Sequence, residues 1–357
     1  MRGTKFGWIT VILLAAALVA PTAALAGPSP DLITPQAEAA IRDGLEWLAR
    51  NQQRSGAWSA GGGRAGYEGA MTGLAGLALL ASGSTPTRGP YADNIRRAIH
   101  WVLAQQNRAT GLIVSRGEES RSMYSHGFCT LFLAEALGTT GSPSLERRIR
   151  VALENAIKLI EGSQSRPTED AGGWIYTPSG ASDEGSVTVT QVQALRACQN
   201  AGLQVNRAVI DRAFNYLKLT KTADGGIAYS LAQMRGGRGG TSRPALAAAA
   251  WTCLNSAGRY NDPLTIAVRD YCLERYRSLI GGRQSFYFYL HLYLAEAMYQ
   301  HGGEPWRDYF ARIREDMLER RNADGSWNGD NIGPTYGTAV ALIILQLPNG
   351  YMPIVQN

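Results

Sequence analysis

Two adjacent acids, Asp183 and Glu184, stand directly before a segment carrying Ser186, Thr188, Thr190 and Gln191, the most polar start of any comparable segment in the chain. A buried polar group left without a partner costs about 1–3 kcal/mol, so such a cluster needs a reason. One reason is local: Asp183 and Ser186 are good helix caps. A cap does not account for Thr188 and Gln191, which lie further along one helical face, so contact of Asp183, Thr188 and Gln191 with a ligand is the competing expectation. Aromatic residues add to it. Tyr124, Phe128 and Phe132 repeat at i, i+4 and i+8, and Phe286, Tyr287, Phe288, Tyr289 and Tyr293 crowd a second segment. With Arg243 from a neighbouring loop, the expected ligand-binding set is Thr188, Gln191, Tyr124, Phe128, Arg243 and Tyr289. His126 and Cys129, one helical turn apart with His291 as a remote partner, form a weak metal pair. A hydrogen-bonded histidine beside a buried thiol is the simpler reading.

The elements that would position these residues follow a repeat. A charged amphipathic helix begins near Gln36, Tyr91, Leu145, Asn206, Asp262 and Pro305. Each is followed by a Gly-rich loop and a less charged helix beginning near Tyr67, Met123, Ser186, Thr241, Phe286 and Thr335. Ile41, Leu45 and Leu48 recur at helical spacing and leave a charged face for solvent. Residues 67–83 carry a single charge, and a helix apolar almost all round belongs inside. Inner helices without a polar face cannot end at water, so about six hairpins should close into a ring. The fold class is all-α, a closed α/α toroid of inner and outer helices over residues 36–347.

The loops share a signature: Gly56-Ala57-Trp58, Gly172-Gly173-Trp174 and Gly325-Ser326-Trp327, with Gly111-Leu112-Ile113 and Gly225-Gly226-Ile227 as apolar variants. Upstream lie Gly44, Trp47-Leu48 and Gln52, placing a Gln where it can tie down the loop. This pattern resembles the QW repeat of the squalene/hopene cyclase and protein prenyltransferase superfamily, and partial copies extend the resemblance over nearly all of residues 36–347. It implies a terpenoid-cyclase-like toroid. Cyclases of that superfamily that protonate an alkene use an Asp-x-Asp-Asp motif near an inner-helix start. Here Asp183 matches the first position while Gly185 and Ser186 replace the acid and its partner, so the resemblance leaves Asp183 and Glu184 as the candidate catalytic acids. No cofactor is expected.

In such a ring the inner helices run parallel, so their N-termini gather at one mouth, where helix dipoles and free N–H groups favour an anion. Arg64, Arg116, Arg121, Arg235, Arg238, Arg243 and Arg283 fall in the loops there. Repeats three and six contribute Glu169, Asp170, Asp183, Glu184, Asp324 and Asp330 instead.

Residues 1–26 read as a signal peptide. Arg2 and Lys5 precede an apolar run and the Ala24-Leu25-Ala26 cleavage site, so a periplasmic or secreted protein starting at Gly27 is expected. Residues 27–35 form a linker and 348–357 a C-terminal tail. The formal charge of +6, or +4 without Arg2 and Lys5, comes without a basic run and argues against nucleic acid. Cys129, Cys198, Cys253 and Cys272 sit in helical patterns and read as buried free thiols, although Cys198 and Cys253 hold similar places in successive repeats. The reading that follows is an exported binding or scaffold toroid without catalysis, whose partner is an apolar or isoprenoid-like ligand or an envelope protein. The alternative is an enzyme acting on an isoprenoid-like substrate.

Overall fold

The computed structural model describes residues 27–356 apart from 62–65, 170, 237–239 and 283. The expected signal peptide, and Arg64, Asp170, Arg238 and Arg283, lie outside the described residues. The helices in chain order are α1 (Pro35–Asn51), α2 (Glu68–Ala81), α3 (Ala92–Gln105), α4 (Ser122–Ala136), α5 (Pro143–Gly162), α6 (Gly185–Asn200) and α7 (Arg207–Thr220). They continue with α8 (Leu231–Arg235), α9 (Pro244–Ser256), α10 (Pro263–Leu279), α11 (Tyr287–His301), α12 (Gly303–Glu319) and α13 (Pro334–Gln346). Short α8, inside the fourth loop, is an addition that the repeat did not foretell. No helix among the described residues is long and apolar enough to cross a membrane.

Six helices form the inner ring. Each of α2, α4, α6, α9, α11 and α13 packs on the next, and α13 returns to α2. The division follows composition. Nearly every residue of α2 and α13 is buried, whereas α3 buries only Ile95, Ala98, Ile99 and Val102. Small residues set the spacing: a Cβ on Gly73 would lie 2.7 Å from the Phe128 carbonyl carbon, so α2 and α4 touch through backbone. Outer helices start on local caps. The side chains of Thr34, Ser142, Asn206 and Asp262 accept from backbone N–H groups of α1, α5, α7 and α10, as Ser, Thr, Asn and Asp do at this position.

The loops repeat one set of bonds. Gln52, Gln106 and Gln164 each donate an amide to the carbonyl of the loop glycine (Gly56, Gly111, Gly172) and to one on the next outer helix (Asn94, Ala152, Val209). Trp58, Trp174 and Trp327 are buried. Their indole N–H groups donate to Leu48, Ile160 and Met317, and their backbone N–H groups to the hydroxyls of Thr72, Thr188 and Thr338. Gly56 has φ +99°, and a Cβ there would come within 2.5 Å of the Arg97 carbonyl oxygen on α3. The same device closes the ring. The Trp327 ring covers Gly44 of α1, where a Cβ would be 2.8 Å from it, and the Trp47 indole donates to Asp324 at 3.0 Å.

All four cysteines are buried and free, Cys198 and Cys253 included. Burial pushes the Cys198 thiol up to about 12.

Candidate functional site

The six inner N-termini meet at one mouth, and the chain's own carboxylates occupy three of them. Glu118 accepts from Gly69 N on α2 at 3.1 Å and Glu184 from Val187 N on α6 at 2.9 Å. Asp330 accepts from Phe288 N and Tyr289 N on α11 at 3.0 and 2.9 Å. Three dipole ends that were expected to attract an external anion are thus already neutralised internally, which corrects the sequence expectation.

Around these acids the rim is built of tyrosines. The Tyr124 hydroxyl lies 2.5 Å from Ser186 Oγ and donates to Glu184 at 3.4 Å, while Ser186 donates to Glu184 at 2.5 Å. Tyr176 and Tyr229 share a hydroxyl–hydroxyl bond, and above them the guanidinium groups of Arg121 and Arg243 stand 5.0 and 4.9 Å from the ring centres. Tyr289 and Tyr293 meet edge to face at 4.9 Å, and Tyr336 donates to Asp330 at 3.3 Å. Burial pushes the Glu184 carboxyl up, countered by its bonds to Ser186, Val187 and Tyr124. Asp330 shows the same balance. Tyr289 is raised by burial and by Tyr293, Tyr124, Glu184 and Tyr336 around it. The structure therefore gathers Glu184, Tyr124 and Tyr289, with Arg243 stacked on the nearby Tyr229. Chemically the group is a buried acid bonded by the hydroxyls of Tyr124 and Ser186.

Other residues singled out from the sequence belong to the scaffold. Asp183 accepts from Leu231 N at 2.9 Å and so holds the start of α8. The Thr188 hydroxyl donates to Glu184 O and accepts from Trp174 N, and Gln191 donates to Met123 O between α6 and α4. Thr188 and Gln191 are both fully buried, the first bonded to the Trp174 loop and the second to α4. Of the aromatic stripe, Phe128 lines the ring's interior, but Phe132 turns onto Gly76 of α2. His126 accepts from Ile113 N at 3.1 Å through Nδ1 and reaches Ala156 O at 3.3 Å through Nε2, and Cys129 donates to Gly69 O. Burial holds His126 down to about 4. His291 is matched likewise by Tyr309 and Leu279.

Beside the mouth, a cleft of about 550 Å³ opens between the loop before α11 and the loop before α13. Gln284, Tyr287, Arg320, Asn328, Asp330 and Asn331 are among its lining residues. Its floor is strained: Asp330 and Asn331 have φ of +46° and +58°, and the exposed Phe286 alongside has +60°. Non-glycine residues held there cluster at functional sites.

The opposite end differs. Leu74, Leu77, Phe128, Leu131, Leu292 and Ile343 line a chamber with about 30 Å³ free, and Met352, Ile354 and Val355 of the segment after α13 complete its lining. Glu296, bonded by Gln193 at 2.8 and 2.9 Å, stands in this wall, and Glu135 accepts from Ile354 N at 3.3 Å. Burial pushes Glu135 up to about 7 and Glu296 to about 8. Sequence reasoning missed both. The available signal was a lone acid inside an otherwise apolar inner helix.

No family model matches this chain, and no curated protein matches it in sequence. Solved structures do. An inactive double-aspartate variant of an alpha-1,6-mannanase from Salegentibacter sp., in complex with alpha-1,6-mannotriose, superposes with a TM-score of 0.59 at 8% identity, covering 88% of this chain and 99% of that one. The type II terpene cyclase MstE from Scytonema gives 0.54 at 15% identity, covering 89% and 99%. A protein from Actinoplanes gives 0.54 at 15%, covering 88% and 99%. At these identities the likeness is one of fold, an α/α toroid.

Proposed function

We propose that this α/α toroid is an exported binding protein that takes a neutral, hydroxyl-rich ligand, a short oligosaccharide, in the cleft beside its mouth. The cleft carries the reading. Its amides (Gln284, Asn328, Asn331), one carboxylate and one guanidinium supply donors and acceptors in balance, with an exposed Phe286 at its edge. Such a site suits hydroxyl groups, and its size lies within the range of roughly 300–1,000 Å³ found for ligand pockets. The mannanase neighbour, whose complex holds alpha-1,6-mannotriose, supports the ligand class. Titration calorimetry with alpha-1,6-mannotriose and other neutral oligosaccharides tests it. Saturable binding that a Gln284→Ala/Asn328→Ala double variant removes is the expected result, and no binding to any of them ends the reading. Export is tested separately, by sequencing the mature N-terminus, expected within a few residues of Gly27.

A second reading, acid catalysis on an isoprenoid-like substrate, has one observation in its favour: the buried Glu184 carboxyl, wired to Tyr124 and Ser186. The acid would then be Glu184 and not Asp183, whose side chain holds α8. A cyclised product from geranylgeranyl dihydroxybenzoate, the substrate bound by an MstE variant, would favour this reading if Glu184→Gln abolished it.

A further inference from the structure

The inner face of the ring changes character partway down. On α4 the inward stripe runs Tyr124, Phe128, Leu131, Glu135, and on α11 it runs Tyr289, Tyr293, Glu296. The upper residues belong to the mouth and the lower ones to the apolar chamber. Helix C-termini present carbonyl groups and no free N–H groups, so a carboxyl at this end must find its donor elsewhere. For Glu296 the donor is the Gln193 side chain. For Glu135 it is the backbone N–H of Ile354, brought in by the tail.

After α13 and a 3-10 turn the chain reverses at Gly350 (φ +64°) and runs back beneath the ring as a second 3-10 turn, Pro353–Val355, packed on α6 and α11. Met352, Ile354 and Val355 point in and are buried, while Tyr351 and Gln356 face out. Further bonds of this segment are internal to it, Val355 N to Met352 O and the Gln356 amide to Gly350 O. The occupant is therefore a short apolar string joined to the ring through a hydrogen bond onto a buried carboxyl. The space left, about 30 Å³, is room for a water or two and not for a longer ligand.

We propose that Tyr351–Gln356 is a removable self-ligand, occupying a binding site for an unbranched hydrocarbon chain that ends in a hydroxyl. The hydroxyl takes the place of the Ile354 N–H on Glu135, and the hydrocarbon takes the place of Met352, Ile354 and Val355. Glu135 and Glu296 already stand together in this wall, raised by burial to about 7 and about 8, so a fatty carboxylate would bring a third acid to it. The inference does not rest on the mouth reading.

The test is calorimetry with 1-decanol on the full chain and on a chain ending at Gly350. The shortened chain is expected to bind at least tenfold more tightly, to lose that gain on Leu77→Trp, which refills the chamber, and to release decanol to the peptide Tyr-Met-Pro-Ile-Val-Gln. Decanoate is expected not to bind. A folded shortened chain with no gain, or a gain indifferent to both Leu77→Trp and the peptide, overturns the proposal. If the shortened chain does not fold, the full chain with Ile354→Ala and Val355→Ala decides. A several-fold gain in decanol affinity supports the site, and lowered stability with unchanged affinity makes the tail structural only.

Discussion

The two ends of the ring treat the same side chain in opposite ways. At the mouth, Glu118, Glu184 and Asp330 sit on helix N-termini, where N–H groups and the dipole stabilise their charge. Each accepts two or more hydrogen bonds. At the closed end, Glu135 and Glu296 stand in apolar walls towards helix C-termini, where the dipole is unfavourable and donors come from an amide and the tail. Burial raises all five. Values near 7 and 8 are reached at the closed end. The lesson is that helix direction, set for the whole ring at once, decides which carboxyls are anchors and which are held neutral.

That contrast depends on a closed ring, so the largest expected effect comes from opening it. Ending the chain at Pro334 removes α13, leaves α2 and α11 half wet, and should abolish cooperative unfolding and cause aggregation. A soluble, cooperatively melting product would show that the two ends do not need closure. Next, Trp327→Ala should lower stability by roughly 3–5 kcal/mol in denaturant titration, because the indole fills the seam over Gly44. A loss below about 1 kcal/mol would demote the seam to a surface contact.

The closed end predicts a pH effect. A carboxyl near 4.5 when unfolded and about 8 when folded keeps its proton longer in the native state, so stability should fall as pH rises between those values. Glu296→Gln should flatten that slope and leave the variant more stable by a few kcal/mol above pH 8, with Gln193 and Glu135 as the facing groups. Parallel profiles for both proteins would remove the contrast between the ends. At the mouth the expected effect is smallest. Asp183→Ala should lower stability by about 0.5–2 kcal/mol through loss of its bond to Leu231 N. Asp183→Asn should lose less, and oligosaccharide binding should be unchanged in both. A selective loss of binding would return Asp183 to the ligand site.

Much of this architecture was legible because its causes are local. Apolar stripes of period 3.6 separated inner from outer helices, and Thr34, Ser142 and Asp262 marked helix starts next to a proline. Gln52 and Gly56 predicted a tied loop, and the bond between them spans only four residues. The candidate site was less legible. Glu184, expected as an acid, and Tyr124, expected as a ligand contact, lie together at the mouth, whereas Thr188 and Gln191, expected as ligand contacts, bond a loop N–H and a carbonyl on the adjacent helix. Periodicity names the face a residue occupies and not the neighbour that face will meet.

The order of residues determined by itself the helical repeat, the small residues that let inner helices touch, and the need for closure, since an inner helix apolar all round has no other way to leave water. Tertiary structure alone decided where the carboxyls act. Glu118 reaches α2 and Asp330 reaches α11 across the ring's loops, and the final residues, which carry no period, fold back to meet Glu135. A buried acid takes its character from the donors and dipole around it, and those belong to segments brought together only when the ring has formed.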